Sequence, residues 1–261
     1  MANVKVITLL TDFGLKDAYV GVMKGVILSI NPDARIVDIT HEVEPQDLLE
    51  ACFLMKESYP FFGKGSIHLC VVDPTVGSDR RAIVLERDGH FFVGPDNGLF
   101  SFAIGKDRST YQIENERYML KNVSGTFHGR DIFAPVAAHL SLGLNPAALG
   151  NKVDDPVVLP GLHPVIKGQT LTGKIVRFDR FGNALSNISI ESFNRFVKDR
   201  PFRVRLSDMR FETLSRSYFD DPYTCVVGSS GYLEFGLFKG NLAQDKSIKK
   251  GDAVTVTLLR H

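Results

Sequence analysis

The first half of the chain alternates between buried-strand patterns and helical patterns. Residues 4–10 form a largely apolar run rich in β-branched side chains, and Asp12 and Gly14 end it, which predicts a buried strand. A helical spacing follows, with apolar residues at Tyr19, Val22, Met23, Val26 and Ile27. The two patterns alternate up to residue 72, and a hairpin with Asp88-Gly89 at its turn comes next.

This alternation predicts an α/β N-terminal domain with a mostly parallel sheet, because helices return the chain between parallel strands. Ligands of such sheets bind beyond the carboxyl ends of the strands. Asp12 and Asp73 each follow a predicted strand, and His128 precedes a helix predicted over residues 132–144. We therefore expect these three segments to line one crevice.

The pattern changes after residue 150. Residues 154–168 hold three prolines and two glycines, which is typical of a linker. Short apolar runs separated by Gly and Asp turns follow, and they predict an all-β domain, a small antiparallel sheet or barrel. The sequence thus predicts an α/β domain over residues 1–164 and a β domain over residues 165–261.

Composition narrows the function to a small-molecule substrate. The 261 residues include 31 Lys plus Arg and 30 Asp plus Glu, a net charge of +1 without a basic cluster, which disfavours nucleic acid as a partner. No apolar stretch approaches the ~18–20 residues that span a membrane. Three cysteines in apolar runs predict buried free thiols and a cytoplasmic location. No paired His spacing indicates a metal site.

Two segments of the predicted sheet carry candidate chemistry. A carboxylate at Asp12 can accept hydrogen bonds from a sugar diol, or can cap the turn that follows. Asp73 precedes Pro74, which favours an extended conformation, and Arg80 and Arg81 lie close behind. Successive residues of a strand point to opposite faces, so only one of the two arginines can face Asp73. Asp96, Asn97 and Gly98 predict a structural turn.

The segment Ser124–Asp131, SGTFHGRD, places His128 before a glycine that permits close backbone approach. This histidine does not lie on the apolar face of a helix, which favours a functional role. Arg130 and Asp131 are interpreted as the cap and anchor of the loop.

The second domain offers further polar groups near turns. Asp179, Phe181 and Asn183 could stack an aromatic ring and hold polar groups of a ligand, or form a β-turn. Ser229 and Ser230 lie between glycines, where amides and hydroxyls can bind a carboxylate. The chain has no G-x-S-x-G, Walker loop or G-x-G-x-x-G.

Seven motifs, in their order along the chain, resemble those of the S-adenosylmethionine hydroxide adenosyltransferase family. They are LLTDFG, YVGVMKGV, VVDPTVGSDRR, GPDNGLF, TFHGRDIFAPVAAHL, FDRFGNALSNI and GSSGYLE. That family is related to the fluorinases and chlorinases. The resemblance extends over nearly the whole chain. It implies an enzyme that hydrolyses S-adenosylmethionine to adenosine and methionine without a cofactor, and a homotrimer whose sites lie at subunit interfaces.

The resemblance also implies roles for individual residues. Asp73, Arg80 and His128 correspond to the set that holds the attacking water, and Asp12 to the carboxylate that binds the ribose diol. Residues implied to bind the remainder of the substrate lie in the second domain: Asp179 and Ser229 at the methionine end, Phe181, Asn183 and Phe238 on the adenine side, and Ser230 and Glu234 nearby.

Two alternatives stay open. The related halogenases have a longer segment before the motif that contains His128, and a tyrosine in place of His128. This chain differs from them at both points, which favours water over a halide as the nucleophile. A protein that binds adenosine or S-adenosylmethionine without turnover is the other alternative. Two further points stay open: whether Asp73 or His128 accepts the proton of the attacking water, and which sulfonium epimer of the substrate is preferred.

Overall fold

A six-stranded sheet forms the centre of the N-terminal unit. The computed structural model describes residues 5–259, and the chain divides into compact units of residues 1–160 and 161–261. The boundary predicted from the sequence lies a few residues further along. The strands are β1 (Val6–Thr11), β2 (Arg35–Thr40), β3 (Ile67–Val71), β4 (Ala82–Arg87), β5 (His90–Pro95) and β6 (Arg108–Gln112).

The strand order is β2-β1-β3-β5-β4-β6. The pairs β1–β2, β1–β3 and β3–β5 are parallel, whereas β4 is antiparallel to both its neighbours. This confirms the predicted α/β fold with a mostly parallel sheet. The chain leaves β1 to one side to form β2 and returns on the other side to form β3, so the order reverses between β1 and β3. Open α/β sheets bind ligands beyond the strand ends at such a reversal.

Helices cover both faces of this sheet. They are α1 (Tyr19–Ile30), α2 (Leu48–Ser58) and α3 (Ala134–Ser141). Successive side chains of β1 point to opposite faces, so Leu9 packs in the core with Met23 of α1, whereas Leu10 packs with Met55 of α2. Short 3₁₀ turns cover Tyr59–Phe61, Ser101–Ala103, Glu116–Tyr118 and Pro146–Ala148, and a π-helical turn covers Gly129–Phe133.

The C-terminal unit contains an antiparallel sheet, as the sequence predicts. Its strands are β7 (Val165–Lys167), β8 (Thr170–Phe178), β9 (Ala184–Ser189), β10 (Phe202–Leu206), β11 (Met209–Phe211), β12 (Tyr223–Val227), β13 (Tyr232–Leu237) and β14 (Ala253–Leu258). The order is β11-β10-β14-β8-β9-β13-β12, with β7 beside β8. Apolar side chains from these strands, including fully buried Phe235, form a core separate from those of the N-terminal unit.

Two short helices that the sequence does not predict accompany this sheet, α4 (Ile190–Val197) and α5 (Leu242–Asp245). Ser189 caps α4, because its hydroxyl accepts a hydrogen bond from Ser192 N at 3.2 Å. Phe193, Phe196 and Val197 follow at helical spacing and are buried. The helix continues directly from β9, so no turn residue marks its start.

The three cysteines, Cys52, Cys70 and Cys225, are free and buried, as predicted. Within residues 5–259, no helix has the length and apolar character needed to cross a membrane.

Replacing a core leucine should test the N-terminal packing. Leu69 on β3 is fully buried, so Leu69→Ala is expected to lower the free energy of unfolding by about 2–5 kcal/mol through lost burial and a residual cavity. Leu142→Ala is the matched control, since Leu142 is 60% exposed and its loss should cost less than about 0.5 kcal/mol. Denaturant unfolding followed by circular dichroism measures both, and equal losses would contradict the packing described.

Candidate active site

A buried ion pair joins two of the predicted site residues, and a hydrogen bond adds the third. Arg80 Nε lies 2.9 Å and Arg80 Nη2 2.5 Å from Asp73 Oδ2, a two-point contact between guanidinium and carboxylate. The side chains of Arg80 and Asp73 are only 8% and 4% exposed. Arg80 Nη2 also lies 2.7 Å from His128 Nδ1. The structure therefore brings Asp73, Arg80 and His128 together.

Two loops must touch for this contact to form. Asp73 follows β3, and its loop includes Gly77 at a φ of +81°, in the left-handed region that favours glycine. A Cβ at Gly77 would overlap the carbonyl oxygen of Gly125, in the loop that carries His128. Glycine is thus required here both for the turn and for the close approach of the two loops.

The neighbouring arginine takes a different partner, as the alternation of side chains predicts. Arg81 Nε lies 2.7 Å from Asp96 Oδ2, and Arg81 Nη1 lies 2.7 Å from Asp155 Oδ1. Asn97 Nδ2 donates to the carbonyl of Val72, so the predicted turn is tied to the end of β3. Asp96 and Asn97 thus have structural contacts next to the site.

A π-helical turn carries the chain from His128 into α3. Pro135 has no N–H, so it cannot donate to the carbonyl of Asp131, four residues earlier. That carbonyl instead accepts from Leu120 N at 2.8 Å, and Ala134 N donates to Gly129 O across the wider π turn. Single π turns are frequent at functional sites. The helix predicted over residues 132–144 therefore begins later, at Ala134.

Asp131 anchors the His128 loop. Its fully buried carboxylate accepts hydrogen bonds from the backbone and the hydroxyl of Ser124 at 2.8 and 2.7 Å, and from Arg130 Nε at 2.5 Å. Burial opposes its ionisation, but the hydrogen bonds from Arg130 and Ser124 outweigh it and lower the pKa of Asp131. Both residues thus hold the loop, as the sequence indicates.

The surroundings of His128 favour its neutral form. Burial, and then the positive charge of Arg80, lower the pKa of its imidazole below the usual 6.5, and they outweigh the opposing charges of Asp73 and Asp131. A guanidinium only donates hydrogen bonds, so Nδ1 accepts from Arg80 and the ring proton lies on Nε2. Below about pH 6.5, His128 binds a proton more readily in the unfolded chain than in the folded chain. Its contribution to the stability of the folded protein therefore decreases as the pH falls.

Asp12 lies at the end of β1, next to β3 in the sheet. Its Oδ2 accepts from Gln46 N at 2.9 Å, and its Oδ1 has no hydrogen-bond partner among the described residues. The next residue, Phe13, packs edge-on against Phe127, the neighbour of His128, with ring centroids 5.9 Å apart. The Asp12 and His128 segments are therefore adjacent.

An aromatic cavity of about 470 Å³ adjoins these segments. It is lined by Phe13, Tyr19, Ser124, Thr126, Phe127 and Arg130. Phe13, Tyr19 and Phe127 contact one another in pairs, with centroids 5.2–5.9 Å apart. The sequence analysis did not identify this cluster, because its members come from three separate stretches of chain.

In the C-terminal unit, Asp179 organises the β8–β9 turn. Asp179 Oδ1 accepts from the backbone N–H groups of Phe181 and Asn183, both at 2.9 Å, and Oδ2 accepts from Asn183 Nδ2 at 2.8 Å. The ring of Phe181 is 75% exposed. The turn interpretation is therefore confirmed, while binding roles for these three residues stay predictions.

Glu234 lies on β13 close to this turn. Its buried carboxylate accepts a hydrogen bond from the hydroxyl of Tyr218, a residue that the sequence analysis missed. Burial, with the adjacent Glu234, raises the pKa of Tyr218. A Cβ at Gly236 would lie 2.6 Å from the Tyr218 ring and 2.9 Å from Asn183 Oδ1. Glycine on β13 thus lets Tyr218 and Asn183 approach the strand beside Glu234.

The remaining predicted residues lie in two other turns. Ser229 and Ser230 occupy the turn between β12 and β13, where Ser229 is exposed. Phe238 follows β13, is 38% exposed and contacts the exposed Phe219 edge-on at 5.3 Å. Ser229 and Ser230 thus lie beyond one end of β13, and Phe238 follows the other, near the Asp179 turn.

Among residues 5–259, no group of three or more His, Cys, Asp or Glu side chains could hold a metal ion. A polar cluster at the reversal point of a mostly parallel sheet, with an antiparallel second unit, defines the class: an α/β protein with polar groups at the position where such sheets commonly bind ligands.

The chain belongs to the SAM hydroxide adenosyltransferase family. The model of that family's N-terminal domain matches residues 7–150, and the model of its C-terminal domain matches residues 173–255. An (R)-S-adenosyl-L-methionine hydrolase from Salinispora tropica is 38% identical over 98% of this chain and 99% of its own. A fluorinase from an Actinoplanes species is more distant, at 25% identity over 97% of each chain.

A solved structure has the same fold. The crystal structure of an uncharacterized conserved protein from Thermotoga maritima matches with a TM-score of 0.87 at 37% identity, covering 96% of this chain and 99% of that one.

The contact between Arg80 and His128 should be visible in a proton NMR titration. We expect His128 to titrate below 6.5 in the wild-type protein and at a higher pH in Arg80→Gln, because a positive charge is lost while Asp73 remains. His128→Asn assigns the signal. Arg81→Gln is the matched control and should leave the titration unchanged, since Arg81 pairs with Asp96. Equal shifts in the two arginine variants would contradict this geometry.

Proposed function

We propose that the protein hydrolyses S-adenosylmethionine to adenosine and methionine. The contact of Asp73, Arg80 and His128 at the reversal point of the sheet carries this proposal, because it is a polar cluster that can hold one water beside a bound nucleoside. The Salinispora tropica relative at 38% identity, an (R)-S-adenosyl-L-methionine hydrolase, supports it, and further supports the (R) epimer as the preferred substrate.

The main task of the protein in this reaction is to position a water molecule against the substrate. The sulfonium is already a good leaving group, so it needs no general acid. The oxygen of water attacks C5′, the C5′–S bond breaks, and its electron pair stays on sulfur to give neutral methionine. The proton from water passes to Asp73, or to His128 Nδ1 once the hydrogen bond from Arg80 is released, as the C–O bond forms, and then to solvent. Alignment of water with C5′ therefore carries most of the acceleration.

Arg80 fixes the geometry of both candidate bases. Its guanidinium binds Asp73 through two contacts and donates to Nδ1 of His128, so neither side chain can turn away without breaking a charged hydrogen bond. Burial and the charge of Arg80 lower the pKa of His128 and so favour the uncharged ring, which suits a site for a cationic substrate. Asp12 binds the ribose diol in this proposal, and the adenine and methionine ends contact the C-terminal residues named from the resemblance.

The assembly and surroundings of the enzyme stay predictions. We expect a homotrimer with substrate sites at subunit interfaces, which analytical ultracentrifugation can test. We also expect a cytoplasmic location, and activity that persists in a chelator because no metal or other cofactor takes part.

Substitutions in the cluster should abolish turnover and spare binding. Asp73→Asn and His128→Ala are each expected to lower kcat for methionine release by about 10²–10⁴-fold, because each removes a group that positions or deprotonates the water. Adenosine affinity by calorimetry should change little. Arg80→Met should also lose activity, and Arg81→Met is its control, since Arg81 pairs with Asp96 rather than with Asp73. Near-full turnover in Asp73→Asn or His128→Ala would place the water site elsewhere.

One incubation separates the candidate functions. Pure protein is given each sulfonium epimer separately, with and without chloride or fluoride, and the products are resolved by chromatography. Adenosine and methionine identify a hydrolase, and the faster epimer is the substrate. A halogenated nucleoside identifies a halogenase, which the fluorinase relative keeps as an alternative. Tight adenosine binding with no methionine release from either epimer identifies a binding protein.

A further inference from the structure

A buried contact between an imidazole and a hydroxyl lies next to Asp12, outside the Asp73–Arg80–His128 cluster. Thr11 Oγ1 lies 2.8 Å from His41 Nδ1, and both residues are buried. Thr11 ends β1 and His41 follows β2, and these strands are parallel neighbours whose carboxyl ends lie side by side. The contact therefore joins the two loops that leave this edge of the sheet.

The hydrogen-bond direction follows from the charge beside the ring. His41 Nε2 lies 3.1 Å from Asp38 Oδ1, close but without the alignment of a hydrogen bond. A carboxylate at that distance favours the proton on Nε2, which leaves Nδ1 as the acceptor. The Thr11 hydroxyl then donates to Nδ1, and its oxygen accepts from Phe13 N at 3.3 Å.

The same two loops enclose Asp12. Gly14 N donates to the carbonyl of His41 at 2.8 Å, and Gln46 N donates to Asp12 Oδ2 at 2.9 Å. Gln46 has a φ of +70°, a conformation that non-glycine residues seldom adopt and that persists only where neighbouring contacts impose it. The loops that contain Gly14 and Gln46 thus fix the position of Asp12. Its Oδ1 has no hydrogen-bond partner among the described residues.

We propose that Thr11 and His41 are positioning residues that direct Asp12 toward the ribose diol of the substrate. This inference rests on the proposed function, in which Asp12 is the ribose-binding carboxylate. Binding two adjacent hydroxyls requires the orientation of the carboxylate as well as its charge, and the Thr11–His41 contact fixes the backbone on which Asp12 stands. Neither residue touches the substrate.

Strand β1 supplies a matched control for the test. Thr8 Oγ1 lies 2.8 Å from His68 Nδ1, so Thr8 makes the same kind of buried contact three residues earlier, away from Asp12. Thr11→Val and Thr8→Val each remove one hydroxyl with little change of shape, and Thr11→Ser retains it. Calorimetry measures the affinity of each variant for adenosine and for 2′-deoxyadenosine, and kinetics give KM and kcat for methionine release.

We expect Thr11→Val to weaken adenosine binding and raise KM about three- to tenfold, the worth of one hydrogen bond, while kcat stays within about twofold. The preference for adenosine over 2′-deoxyadenosine should shrink by a similar factor, because the diol contact is what is misplaced. Thr11→Ser should restore the KM and the preference for adenosine. Thr8→Val should lower the stability of the protein without changing the KM or that preference.

The outcomes separate this inference from the proposed function. If the wild-type protein hydrolyses S-adenosylmethionine but Thr11→Val and Thr8→Val behave alike, or both nucleosides weaken equally in Thr11→Val, only the positioning role is overturned. If the wild-type protein neither binds adenosine nor releases methionine, the proposed function fails, and this inference fails with it.

A surface substitution keeps the test decisive if Thr11→Val does not fold. Asp38 is exposed and faces His41 Nε2, so Asp38→Asn should reduce the preference for adenosine in the same direction by a smaller factor. Asp33→Asn removes another exposed carboxylate between α1 and β2 and should leave the preference unchanged. An unchanged preference in Asp38→Asn as well would overturn the proposal.

Discussion

The ion pair between Asp73 and Arg80 is the contact on which the site depends. Both charges are almost fully shielded from solvent, and a buried charge without its partner costs several kcal/mol, so the two side chains hold each other in place. Arg80 uses the same guanidinium to bind His128, which joins the loop after β3 to the loop before α3. The lowered pKa of His128 follows from this arrangement, because its ring is buried beside a fixed positive charge.

The features around this pair show why the backbone bends as it does. Gly77 removes the side chain that would separate the two loops, and Pro135 removes the N–H that would have continued an ordinary helix through Asp131. The π turn that results brings His128 to the start of α3, and Asp131 fastens the loop to Ser124. Gly77 and Pro135 act through the backbone and Asp131 acts through its carboxylate, and none needs to contact a substrate to matter for activity.

At the end of the neighbouring strand β1, too, the residue expected to bind substrate is oriented by residues that do not contact the substrate. Asp12 carries the group expected to meet the ribose, while its orientation is set by Gln46, Thr11 and His41, which come from β1 and from the loop after β2. The parallel pairing of β1 with β2 and β3 is what places these segments at one edge of the sheet. The topology of the sheet thus brings these segments to one edge, and short-range polar contacts align the polar groups there.

The sequence by itself determined the class of fold in each half and the buried thiols, and its family resemblance singled out Asp73, Arg80 and His128 as candidate partners, whereas the residue pattern alone left Arg80 and Arg81 open. Hydrophobic periodicity and turn residues act over a few positions, and such local signals can be read along the chain. The helix α4 was missed because it follows β9 without a turn residue, and the start of α3 moved because Pro135 acts on a carbonyl four residues away. Only the tertiary structure decided that Arg80 rather than Arg81 meets Asp73, that Tyr218 meets Glu234, and that His41 meets Thr11. These contacts join residues that are distant in sequence, and strand order and loop packing bring them together in ways that no local pattern encodes.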